Sequence, residues 1–410
     1  MPALPRPVRA AALAFALALP GVSAFAQDTG TGASLYDFQA SHDGSPPSGG
    51  VSMNEFDQPV GVTSADGPAG GGAIFVATHY PGGWGSYVPF TFGADDASGD
   101  TPLAAPFALG GRTWLGTTSA GAGHGAGSLW RFHYIEGHLW ATRQVLHNFD
   151  PVNEGSMPTS NLVGDGHHNF YGTLSDGGPG GAGSVYEIAF HPDDFTWHFR
   201  LLHAFTGGAD GGHPSGQVAV DRDGVVYGTA RDGGAAGAGG VWRIAAHRAM
   251  PKFRMLVDLQ GDMGASPSAG LVRTPAGELF GTAEGGPNGD GVVFRVRPGA
   301  GQAEYTVLHP FKGPVDGSHP GAPLVASRDG THLYGSTASD GPAGGGTVFA
   351  LDLQPEGGWT FSTVYSLGAR PAMPRGALGL SRDGTTLYGV TAVSSTGQAS
   401  GSLIQVQLPR

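Results

Sequence analysis

A three-residue pattern recurs seven times along the 410 residues: an aromatic or apolar residue, then glycine, then usually threonine. The copies are Val60-Gly61-Val62, Leu115-Gly116-Thr117, Tyr171-Gly172-Thr173, Tyr227-Gly228-Thr229, Phe280-Gly281-Thr282, Tyr334-Gly335-Ser336 and Tyr388-Gly389-Val390. Their glycines lie 55, 56, 56, 53, 54 and 54 residues apart. A fixed period of this length means that one supersecondary unit is reused, each copy burying its apolar face against the next. Seven such units fill residues 34–410 and leave no room for another domain.

Residues 323–367 show what one unit contains. Pro323 to Ala326 is a short apolar strand, and Arg328-Asp329-Gly330 is a tight hairpin turn. Leu333 to Ala338 is a second strand, followed by a glycine-rich loop from Ser339 to Gly345. Thr347 to Leu353 is a third strand, Glu356-Gly357-Gly358 turns the chain, and Trp359 to Leu367 is a fourth. Helical periodicity is absent. Four antiparallel strands per unit, seven times over, predict an all-β fold: a seven-bladed β-propeller spanning residues 27–410 as one domain. The repeated glycine on the second strand is expected to permit close approach of a neighbouring blade.

Glycine is 74 of 410 residues and proline 31, far above the usual ~7% and ~5%. Without a period that composition would mean disorder. The 21 Phe, 11 Tyr and 7 Trp, with only 13% charged residues, instead mean a packed chain whose glycines serve turns.

Repeat seven offers strands at Ala377–Ser381, Thr386–Ala392 and Ser402–Leu408, but no fourth. A spare strand, Ser34-Leu35-Tyr36-Asp37-Phe38, precedes the first full repeat and matches the fourth-strand motif Leu146-His147-Asn148-Phe149. Residues 34–38 are therefore predicted to pair antiparallel with 402–408 and close the last blade.

Tyr-Gly-Thr, an Asp-Gly-Gly-rich loop, Gly-x-Val-Phe/Tyr, Leu-His-x-Phe and Asp-Gly-x-x-Pro follow one another in order, most clearly over residues 171–350. This succession resembles the GloVer tandem repeat. The resemblance implies exported bacterial proteins, often with a C-terminal sorting tail, and brings no catalytic residues. The chain ends at Leu408-Pro409-Arg410, and no anchor is expected there.

Residues 1–26 read as a secretory signal peptide: Arg6 and Arg9, the apolar run Ala10 to Leu19, then Ala24-Phe25-Ala26 before Gln27. The run is too short for a membrane anchor, so a periplasmic or extracellular location without a membrane span is expected. The formal net charge of −12 argues against nucleic acid as a partner. No cysteine is present, which excludes disulfides, thiol catalysis and thiolate metal sites.

Polar chemistry gathers in loops. Asp210-Gly211-Gly212-His213-Pro214 and Asp316-Gly317-Ser318-His319-Pro320 link an outer strand to the next inner strand, and should surround one mouth of the channel. Asp43, Glu154, Asp95, Asp96 and Arg375 lie in equivalent loops. Turn formation alone accounts for Asp-Gly and Pro here. As ligand contacts the candidates are Asp210, His213, Asp316 and His319. Were the protein a carbohydrate lyase or hydrolase, Glu154, Asp210, His213 and His319 would be its acid–base groups. The second-to-third-strand loops, such as Asp176-Gly177-Gly178 and Asp232-Gly233-Gly234, lack the Lys-Ser/Thr and helix of a phosphate loop. One carboxylate per blade is too few for calcium, so neither metal nor cofactor is expected.

His147, His203 and His309 on outer strands read as structural contacts to a neighbouring blade, with Asp37, Thr91, Asp258 and Ser366 as their equivalents. In repeat one, Tyr80, Trp84 and Tyr87 crowd one segment and could stack on sugar rings or prolines. No Gly-x-Ser-x-Gly, His-Glu-x-x-His or dinucleotide fingerprint occurs. The leading expectation is a monomeric, non-enzymatic binding or scaffolding module for an extracellular or periplasmic glycan or protein.

Overall fold

A computed structural model describes residues 30–93, 99–133, 142–248, 250–299, 302–370, 372–397 and 400–409. The expected signal peptide, Asp95 and Asp96 lie outside these. Among the described residues, helix is confined to Ala40–Asp43 and the 3-10 turn Gly261–Met263.

Repeats two to six each form a separate four-stranded antiparallel sheet in sequential strand order. Repeat four is representative: Ala219–Val220, Val225–Ala230, Gly240–Ala245 and Lys252–Asp258. Repeats one and seven share an eight-stranded sheet, where separate sheets were expected. One parallel bridge, Gly50 to Ala377, joins the two halves. Glycine makes it possible: Gly50 has φ +83, and a Cβ there would overlap the Ala377 backbone. A second parallel bridge, Gln217 to Gly270, joins the inner edges of repeats four and five.

The chain's two ends meet as predicted, over a longer stretch. Thr31–Asp37 pairs antiparallel with Ser402–Gln407, with Ser34 opposite Ile404 and Tyr36 opposite Leu403 across a register slip. Phe38, just past this strand, is buried against Phe75, with ring centroids 4.8 Å apart. Gly30 N–H also donates to the Val364 carbonyl of repeat six (2.8 Å), so the first strand seals two repeats.

The repeated glycine has a different partner from the one expected. It faces an aromatic on the third strand of its own sheet, directly across the ladder: Gly116 opposite Trp130, Gly172 opposite Tyr186, Gly228 opposite Trp242 and Gly335 opposite Phe349. The ring lies over the space a side chain would fill. A Cβ on Gly281 would sit 2.7 Å from Phe294 Cζ and 2.8 Å from the Gly270 carbonyl oxygen. Both distances are too short for carbon, and one obstacle is backbone. Gly281→Ala is therefore expected to cost about 1–3 kcal/mol through overpacking. A urea titration would show an earlier midpoint at unchanged slope, and an unchanged midpoint would refute the glycine–aromatic pairing as the reason for the motif.

Neighbouring repeats are tied near the axis by side chain-to-backbone bonds that each span one period. Ser48 Oγ donates to Pro102 O (2.9 Å), Thr159 Oγ1 to Ser215 O (3.3 Å) and Ser215 Oγ to Ser268 O (3.3 Å).

Candidate functional site

The carboxylates of the connecting loops point back toward their own outer strands. Glu154 accepts the Asp150 backbone N–H (3.0 Å) and His147 Nε2 (2.8 Å). Asp210 accepts the Thr206 N–H (3.0 Å), the Thr206 hydroxyl and His203 Nε2 (3.2 Å). Asp316 accepts the Lys312 N–H (2.7 Å) and His309 Nε2 (2.8 Å). In each case the carboxylate lies four residues after the N–H and seven after the histidine. Asp43 has the same relation to Gln39 N–H and to the Tyr36 hydroxyl. Each histidine ring then stacks on a phenylalanine of the next repeat's outer strand: His147 on Phe199, His203 on Phe253 and His309 on Phe361, at 4.0, 4.0 and 3.6 Å between centroids. These contacts clamp loop and strand together across a repeat boundary.

Strand register corrects the expected equivalents of these histidines. His203 lies opposite Val185, and the matching partners in repeats four and six are Val257 and Tyr365. Asp258 and Ser366 are one residue further on, as is Asp37 beside Tyr36. Burial pushes the His203 imidazole below its ordinary value of 6.5, against the pull of Asp210. Burial works to raise Asp210, but bonds from Thr206 outweigh it and hold the carboxyl below 3.8. Unfolded chain takes up a proton on His203 near pH 6.5, and folded chain does so only at lower pH. That contribution is therefore present above pH 6.5 and lost as the pH falls. Asp210's contribution is lost only as the pH falls below its unfolded value. His203→Val, copying repeat four, should flatten the fall of Tm between pH 7 and pH 5. An undiminished slope in a thermal-melt series would contradict this account.

His213 and His319 sit elsewhere. Each precedes a proline with positive φ (49 and 56), as do Thr101, Met157, Ser266 and Met373 in repeats two, three, five and seven. The turn thus accepts Thr, Met and Ser as well as His. His213 Nδ1 lies 2.9 Å from Asp232 Oδ2, and Nε2 lies 3.7 Å from Asp176 Oδ1. His319 Nδ1 contacts the Ser318 and Ser339 hydroxyls at 3.0 and 3.2 Å. Glu154, Asp210, His213 and His319 each engage these local partners rather than one another. The channel mouth itself, a cavity of about 190 Å³, is lined by residues that follow the loop prolines, among them Thr159, Asn161, Ser215, Gln217 and Ser268. Sequence reasoning did not single these out. Their one-repeat spacing, as in Asn161 and Gln217, was the available signal.

A larger cleft, about 420 Å³, opens between repeats one and two. The aromatic segment of repeat one forms the tip of a long hairpin, Gly70–Tyr80 with Gly83–Gly93. In its register Val76 faces Tyr87 and His79 faces Trp84, so alternation puts Tyr80, Thr78 and Tyr87 on one side and Trp84 on the other. Trp84 packs on Tyr388 of repeat seven, 5.8 Å between centroids. Tyr80 and Tyr87 line the cleft with Phe56, Trp114, Arg112 and Gln58. Phe56 is 57% and Tyr80 45% exposed, and the Arg112 guanidinium lies 5.4 Å from the Phe56 ring centre. Gln58 Nε2 donates to Thr78 Oγ1 (3.0 Å), and Asn54 Nδ2 donates to Gln58 Oε1 (2.9 Å), which fixes the polar floor.

Four-stranded antiparallel sheets, tied edge to edge around a polar axis, define a propeller-type repeat protein. Residues 169–404 match the Gloeobacter/Verrucomicrobia repeat, and the chain belongs to that family. No protein of curated function is detectably similar in sequence. Among solved structures, the extracellular domain of BT4673 from B. thetaiotaomicron, described as a hybrid two component system, matches 90% of this chain at TM-score 0.54 and 10% identity. An ancestral GH74 enzyme matches 92% at 0.53 and 13%, and a protein from Bacteroides uniformis described as a 6-phosphogluconolactonase matches 87% at 0.52 and 13%. The chain spans 39%, 51% and 95% of those three structures, respectively. Likeness at this identity is one of fold. No helix among the described residues is long and apolar enough to cross a membrane.

Proposed function

We propose that the protein is an exported, monomeric, seven-bladed propeller that binds a glycan without transforming it, through the cleft between repeats one and two. Counting the halves of the eight-stranded sheet as two blades gives seven, and residues 27–410 then form one domain. The observation that carries the binding reading is the cleft itself. Exposed Tyr80 and Phe56 offer flat apolar faces for the C–H side of a sugar ring, beside amide and guanidinium groups of the kind that bond hydroxyls. A protein ligand is the other form of the same reading. The catalytic alternative, a carbohydrate lyase or hydrolase at the loops, draws on His213 between its two carboxylates. It is less well supported, because Glu154 and Asp210 are engaged in the clamps.

A glycan screen with the chain from Gln27 tests this. Saturable binding to at least one polysaccharide is expected, with no new reducing ends or unsaturated products. Binding should fall at least tenfold in Tyr80→Ala, whose side chain is too exposed to matter much for stability. Product release, or binding indifferent to Tyr80→Ala, would overturn the proposal.

A further inference from the structure

Among the described residues, the hairpin of repeat three holds a group of three potential metal ligands. Its strands are Ser184–His191 and Thr196–Ala204. His191 lies opposite Thr196, and Ala189 opposite His198. The two histidines are therefore diagonal neighbours on one face of the ribbon. Their rings stack with centroids 4.1 Å apart and 23° between planes. Asp194, in the turn between them, approaches His198 Nε2 with Oδ2 at 3.2 Å. Its Oδ1 is held by the Thr196 N–H (3.0 Å) and hydroxyl (2.6 Å). One ligand atom from each of His191, Asp194 and His198 lies within 4.8 Å of the others, and all three residues are exposed.

We propose that His191, Asp194 and His198 bind a divalent first-row transition metal, with zinc as the reference ion. Tetrahedral coordination at bond lengths of ~2.0–2.1 Å places ligand atoms about 3.4 Å apart. Small side-chain rotations bring the cluster to that spacing. The Thr196 hydroxyl lies 2.6 Å from His198 Nε2; zinc would take its place there, while Thr196 continues to hold the rear oxygen of Asp194, as an outer hydrogen bond does for a ligating carboxylate. Two imidazoles and one carboxylate select zinc, nickel or copper over calcium and magnesium, which take oxygen ligands. Three protein ligands on an exposed hairpin leave coordination positions open, so the metal can also take a donor from solvent or a second molecule. The repeat motifs do not require these residues, since the corresponding hairpins of repeats four, five and six lack such a trio.

Titration of metal-free protein with zinc chloride, followed by calorimetry, tests the site. One zinc per chain is expected. His191→Ala, His198→Ala and Asp194→Asn should each weaken binding at least tenfold, with Tm of the metal-free proteins unchanged because all three side chains are exposed. His332→Ala, which removes a different exposed histidine paired with a carboxylate, should leave binding intact. Cobalt should give visible absorption of tetrahedral strength in the parent, absent from His198→Ala. No zinc uptake by the parent, or equal affinity in the His191 and His198 variants, would overturn the proposal.

Discussion

Started at Ser41 instead of Gln27, the chain should melt about 10 °C lower and aggregate on heating. The deletion removes the strand Thr31–Asp37, whose ladder with Ser402–Gln407 joins the two ends. It also removes Phe38, fully packed, and half-buried Leu35 and Tyr36. Burial of large side chains is worth about 1.5–3 kcal/mol each. The Tyr36 hydroxyl bond to buried Asp43 is lost as well, leaving a carboxylate with fewer donors. The uncovered strand Ser402–Gln407 becomes a free edge able to pair with other chains. Calorimetry and light scattering read both effects. A truncated chain that melts with the full one would mean that the end-to-end ladder does not hold the sheets together.

Trp242→Ala is expected to cost about 3–5 kcal/mol, the range for emptying a large buried site. Trp242 is fully buried, covers Gly228 and touches Phe205, 5.7 Å between centroids. Trp242→Phe should cost less than about 1.5 kcal/mol. Phe75, Phe294 and Phe349 fill the same place in repeats one, five and six, and the indole N–H of Trp242 is buried without a hydrogen-bond partner. Phenylalanine removes that unsatisfied donor. Equal losses in the two variants, measured by chemical denaturation, would show that the site needs indole shape rather than an aromatic face over glycine.

The repeat, the four-strand order and the closing strand were legible because a 53–56-residue period exposes them directly. The glycine's partner was legible too, yet misread. Gly116 and Trp130, Gly172 and Tyr186, and Gly228 and Trp242 are all 14 residues apart, a spacing that a hairpin turns into cross-strand contact. The histidine clamps carried a similar mark, a carboxylate seven residues on, while polar type alone drew attention to Asp258 and Ser366. The cleft was only half legible. Tyr80 and Tyr87 stand close together in sequence, but Phe56 and Arg112 reach them from separate hairpins, and Trp84 belongs to the opposite face. Strand alternation decides that, and it depends on the register. The cluster of His191, Asp194 and His198 is compact in sequence, but it sits at a hairpin turn that the repeated motifs do not cover, and so outside a reading built on those motifs.

The most direct test sets the cleft against the loops in one experiment. Tyr80→Ala and Asp210→Ala are compared for Tm and for binding to the polysaccharide found in the screen. Tyr80→Ala should keep the parent Tm and lose binding at least tenfold. Asp210→Ala should lower Tm, by breaking the bonds to Thr206 and His203, while the protein below its melting point binds as the parent does. The reverse pattern, binding lost with Asp210 and kept without Tyr80, would place the function at the loops and contradict the account.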